Sequence, residues 1–151
     1  MADHVESARL RAEGGRYERV EGTLGRQRGA DADFVAWFEG EDVVAIDLQV
    51  ARGAEPLFET SYFFEPSGEE NETVLRLVDA DAWNDRTGEH TVYLMGFGPD
   101  GSLTGIQYAV DGRPADPEPG LDEAERAGAR DLLDAATETR EEQRRRSDRR
   151  T

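Results

Sequence analysis

Val43-Val44-Ala45-Ile46-Asp47-Leu48-Gln49-Val50 decides how this chain folds. Successive side chains of a strand point to opposite faces, so Val44, Ile46, Leu48 and Val50 share one face while Asp47 and Gln49 fall on the other. That is the signature of a half-buried strand. The same period of two runs through residues 17–24, 33–39, 57–65, 72–78, 89–97 and 102–110. Clusters such as Glu39-Gly40-Glu41-Asp42 and Pro66-Ser67-Gly68 separate the runs, which makes seven candidate strands in all. A parallel crossover needs about a dozen residues and usually a helix, and these gaps cannot hold one, so antiparallel hairpins are expected.

The flanks read differently. In residues 2–13, Val5, Ala8 and Ala12 recur at helical spacing behind a candidate cap at Asp3, and Gly14-Gly15 ends the run, which predicts a short N-terminal helix. Residues 113–120 hold three prolines and form a stiff connector. From Leu121 on, Ala124, Gly128, Leu132 and Ala135 or Ala136 recur every three or four residues, with acids early and Arg late, as a helix dipole favours. The expected fold is α+β: a twisted antiparallel meander of six or seven strands, with a partial barrel as its closed variant, a short N-terminal helix, and a C-terminal helix packed on the sheet. Residues 1–139 make one acidic domain of ordinary size. Residues 140–151 carry six Arg against three acids and read as a solvated, disordered tail.

Composition describes surroundings more than function. All 18 basic side chains are Arg, set against 34 Asp and Glu, for a formal charge of -16. Dense carboxylates stay hydrated in concentrated salt, where screening removes their mutual repulsion, so a salt-adapted cytosol is one reading and the codon bias of a high-GC mesophile is its rival. The absence of Cys excludes disulfides, thiolate metal sites and Cys nucleophiles. No apolar run approaches the length of a membrane span and the first residues do not resemble an export signal, so a cytoplasmic protein without membrane contact is expected.

Motif searching returns matches that fail their next check. Gly96-Phe97-Gly98-Pro99-Asp100-Gly101 fits a dinucleotide fingerprint, but a strand-like run follows it where a helix N-terminus is required, so it reads as a hairpin turn. Asp79-Ala80-Asp81-Ala82-Trp83-Asn84-Asp85 alternates oxygen ligands like a calcium loop, yet it lacks the Gly and Glu that such a loop needs, and reads as an acidic loop. Two histidines without a His-x-x-x-His pair give no zinc site, so neither metal nor cofactor is expected. None of the five serines lies in a Gly-x-Ser-x-Gly turn.

The polar face of the strands remains. Asp47, Glu59, Arg76 and Gln107 share it by period, Tyr62 adds an aromatic wall, and His90 stands near the sheet mouth, so these six are the candidate ligand-binding residues. The expected function is a non-catalytic binding or protein-interaction module that presents an acidic surface or a shallow sheet-lined pocket to another protein or to a small apolar ligand. One alternative is a small cofactor-independent enzyme of isomerase, cyclase or hydratase type, in which Asp47, Glu59 or His90 moves protons and Arg76 clamps an anion; it requires those groups to converge. Another is a nucleic-acid mimic or regulator, whose acidic body would fill a basic groove. Direct nucleic-acid binding is expected of nothing but the Arg-rich tail, and exposed sheet edges leave room for a homodimer.

Overall fold

A computed structural model describes residues 17–27, 29–66 and 73–149. Eight strands follow one another as an antiparallel meander, each paired with its sequence neighbours: β1 (Glu18–Gln27), β2 (Ala30–Glu39), β3 (Asp42–Arg52), β4 (Glu55–Pro66), β5 (Thr73–Trp83), β6 (His90–Phe97), β7 (Leu103–Val110) and β8 (Arg113–Pro114). One helix, α1 (Leu121–Arg149), completes the described chain.

The eighth strand lies where a connector is expected. Asp111 and Gly112 both take positive φ, 51° and 80°, the geometry of a tight turn whose twist matches that of the flanking strands, so the chain reverses and Arg113–Pro114 pairs with Ala109 and Val110. The acidic loop expected at residues 79–85 is a strand as far as Trp83, because Val78, Ala80 and Ala82 supply the inward half of an alternation that pairs with Tyr62, Thr60 and Phe58 of β4. Gly98–Ser102 does form the expected turn, closed by the Gly98 N–H donating to the Ser102 carbonyl at 2.8 Å. The expected N-terminal helix lies outside the described residues.

Five of the seven strand pairings contain a register shift, and each extra residue bends the strand that carries it. One shift alters the reading of the deciding stretch. Ile46 faces the helix with Leu48 and Val50, but the irregularity opposite Trp37 and Phe38 puts Val43 in the core in place of Val44, which packs with Trp37 on the other face. Register then divides the sheet cleanly. The inner face carries Val20, Phe34, Ile46, Tyr62, Val78 and Met95, packed against Ala129, Leu132 and Ala136 of α1. The outer face carries the smaller group of Trp37, Ala45 and Phe63.

At 1.5 Å per residue the 29 residues of α1 extend about 44 Å, enough to cross the whole sheet. Its first turns hold Arg126 over the Phe97 ring, with Nη1 donating to the Gly101 carbonyl at 2.9 Å, beside β6 and β7. Its last turns reach β1, where Gln143 donates to the Glu21 carbonyl at 3.2 Å. The segment expected as a disordered tail is helical to Arg149, and Arg140 is buried. A charge run is solvated only when its side chains lack partners. Arg140 has them: the Gly40 carbonyl at 2.7 Å, Glu18 at 3.0 Å, and the Phe38 ring beneath its guanidinium at 4.4 Å.

Candidate functional site

The expected site residues occupy three places. Asp47, Glu59, His90 and Gln107 lie on the outer face, because the period of two that assigns them holds through β3, β4, β6 and β7. Asp47 accepts from the Ser61 hydroxyl at 2.6 Å, and Ser61 faces Asp79 across β5, then Leu94 and Gln107. Glu59 is in the adjacent cross-strand row, opposite Gln49 and Asp81. Asp81 lies 2.8 Å from His90 Nε2, whose ring stacks on Trp83 at 4.9 Å and 4°. The Asp111 side chain further ties the His90 backbone N–H at 2.9 Å.

Arg76 stands apart. It is the extra residue at the register shift beside Phe64, near the start of β5, where Nε donates to the Phe97 carbonyl at 2.8 Å and Nη1 to Glu65 at 2.5 Å. Five residues separate Arg76 from Asp81, the partner of Glu59, which along a strand is about 17 Å. An anion clamp acting with Asp47 and Glu59 is therefore not assembled. Tyr62 is on the opposite side of the sheet, buried beneath α1.

Beneath α1 the chemistry is denser. Glu125 accepts from the Tyr62 hydroxyl at 2.8 Å through one carboxylate oxygen and from the Tyr93 hydroxyl through the other. Burial, then the neighbouring Glu125 charge, push both phenols far above their usual range. Tyr93 stacks on Tyr108 with ring centroids 5.8 Å apart. Gly128 lies over the same place, 3.8 Å from the Tyr62 hydroxyl to where a Cβ would stand, an ordinary contact that leaves room for an alanine. Glu125, Tyr93 and Tyr108 are absent from the sequence expectation. The available signal is an acid inside the apolar stripe of α1, between Leu121 and Ala129.

A cavity of about 660 Å³ opens beside β6, β7 and β8, with Val92, Leu94, Tyr108 and Pro114 as apolar walls and Asp79 and Gln107 as polar groups. A second hollow of about 520 Å³ lies over β1, β2 and β3, bordered by Asp33, Trp37, Asp47 and Gln49. Among the described residues no three His, Asp or Glu converge as a metal site, and no helix is long and apolar enough to cross a membrane. No family model matches the chain, nor does any curated protein or solved structure.

Proposed function

We propose that the protein is a non-catalytic binding module that holds a small, largely apolar ligand in the cavity beside β6, β7 and β8. The observation that carries this reading is the cavity itself. Its volume of about 660 Å³ is in the range of small-molecule sites, and it combines apolar and aromatic walls with a few placed polar groups. Asp79, Val92, Leu94, Gln107 and Ala109 of its lining share the outer face of β5, β6 and β7, whose backbones are held by continuous cross-strand pairing, so that wall is pre-organised and little conformational freedom is lost on binding. Separation of Arg76 from Asp47 and Glu59 favours binding over acid–base chemistry on the outer face.

The ligand is a compact molecule with one end able to donate to the Asp79 carboxylate or the Gln107 amide. A neutral naphthylamine dye tests the cavity directly. It should bind saturably, one dye per chain, with enhanced emission. Ala109→Trp fills the cavity from β7 and should abolish that signal while thermal unfolding stays cooperative. Equal dye binding by the two proteins would remove this reading.

A further inference from the structure

The two edges of the sheet are not alike. Along β1, Glu18, Arg19, Glu21 and Arg26 put charge on the edge strand, a register shift bends it beside Leu24, and Gln143 of α1 donates to its Glu21 carbonyl at 3.2 Å. Such features keep an edge from pairing with another chain. At the opposite edge β8 pairs with β7 only at Ala109 and Val110, and none of the eight residues of β7 is charged.

Register identifies the backbone groups that are left over. In an antiparallel pair, alternate residues turn their N–H and C=O toward the partner strand. The Asp111 N–H donates to the His90 carbonyl at 2.8 Å, and continuing the β6–β7 register from there directs Ala109, Gln107 and Gly105 toward β6. Tyr108 and Ile106 therefore face outward. The Tyr108 carbonyl accepts from the Ala115 N–H at 3.0 Å, but the same register carried two residues further would bring Pro117 opposite Ile106, and proline has no N–H to give. Among the described residues nothing bonds to the edge-facing N–H and C=O of Ile106.

We propose that this open edge completes the cavity site: the ligand is an extended apolar peptide whose backbone pairs with Ile106 while a side chain enters the cavity. The inference rests on the cavity reading above and narrows it. A donor and an acceptor carried side by side on Ile106 are matched by the C=O and N–H of one residue of an extended chain, the chemistry of strand addition. The cavity is within reach. Its lining includes Ile106, Gln107 and Ala115, around the end of β8, and continues to Leu94 on β6. Nothing stands within 4 Å of the place of a Gly105 Cβ, so a side chain from an added strand can lie over Gly105, next to Gln107 on the same face. An uncharged β7 suits an apolar partner, since covering it strips no charge of water.

Acetyl-Val-Leu-Val-amide tests this on the full chain, with the same peptide N-methylated at every residue as control. In the free protein the Ile106 amide should exchange with deuterated solvent about tenfold faster than the Gln107 and Ala109 amides, which β6 holds. The unmodified peptide should displace the naphthylamine dye and slow Ile106 exchange several-fold at saturation. The methylated peptide is as apolar but has no donors along its residues, so it should need several-fold higher concentration to displace the dye and leave Ile106 exchange unchanged. An Ile106 amide already as slow as its neighbours in the free protein, or equal dye displacement by the two peptides, would overturn backbone pairing. Slow exchange that turns fast on dilution of the free protein would overturn it too, and would assign the edge to a second copy of the chain. Dye that binds one per chain and stays in place when the peptide is added would overturn the peptide and keep the cavity; a protein that takes up neither loses both readings.

Discussion

Arg140→Ala should cost this protein about 3 kcal/mol. The guanidinium is 6 % exposed, and removing it deletes a charged hydrogen bond to the Gly40 carbonyl at 2.7 Å, a contact of the kind worth about 1.5–3 kcal/mol. It also deletes a desolvated stack on Phe38, worth up to about 2 kcal/mol. The carboxylate partners add little: Glu18 is 43 % exposed and Glu41 82 %, and pairs of that kind are worth under about 1 kcal/mol. For a chain of this size the loss should lower the melting temperature by about 6–12 °C. Thermal and urea unfolding followed by circular dichroism give the number, with Arg144→Ala as control. Arg144 contacts the same two carboxylates but is 52 % exposed, so its loss should stay under about 1 kcal/mol and vanish in molar KCl, while the Arg140 loss persists. Arg140→Lys keeps the charge but not the planar fork, and should recover only part of the difference. Equal effects of Arg140→Ala and Arg144→Ala would refute docking of the last turns of α1 and return residues 140–149 to the solvated tail suggested by their charge.

Other expectations follow from single contacts. Folded-state values raised above about 10 mean that the stabilising protonated forms of Tyr62 and Tyr93 persist below the unfolded value and are lost as pH climbs toward the folded ones, so both phenols should ionise only with cooperative alkaline unfolding. Ionisation of all four tyrosines before the sheet unfolds, seen by ultraviolet difference absorbance, would contradict the Glu125 network. Gly22 lies directly opposite Phe34, whose ring occupies the place of the missing side chain, so Gly22→Ala should displace the ring and cost about 1–3 kcal/mol in urea unfolding; a neutral result would mean β1 is free to move. If the acid excess serves life in salt, the melting temperature should rise substantially between dilute buffer and molar KCl, and a flat response would leave codon bias as the source of the all-Arg composition.

What the sequence conveys about this fold is set by the range of the interactions concerned. Alternation is local, so the face that bears Asp47, Glu59 and Gln107 was legible, as was the burial of aromatics on both sides of the sheet at Tyr62-Phe63-Phe64. A register shift is not local. Whether Val43 or Val44 enters the core depends on how Trp37 and Phe38 pair across a strand boundary, and nothing within the apolar run records that choice. The carboxylate–tyrosine network is further out of reach, since Tyr62 and Glu125 are 63 residues apart and meet because α1 crosses the sheet at one particular height. At the opposite edge the same helix is held by Arg140, through the Gly40 carbonyl and the Phe38 ring. The grip of Arg140 near β1 and the seat of Glu125 between Tyr62 and Tyr93 are two anchors of one helix. A perturbation at Arg140 that lets the helix tilt should therefore be felt at the Glu125 seat, as Tyr62 and Tyr93 phenols that ionise at lower pH in Arg140→Ala than in the unaltered protein, read by ultraviolet difference absorbance.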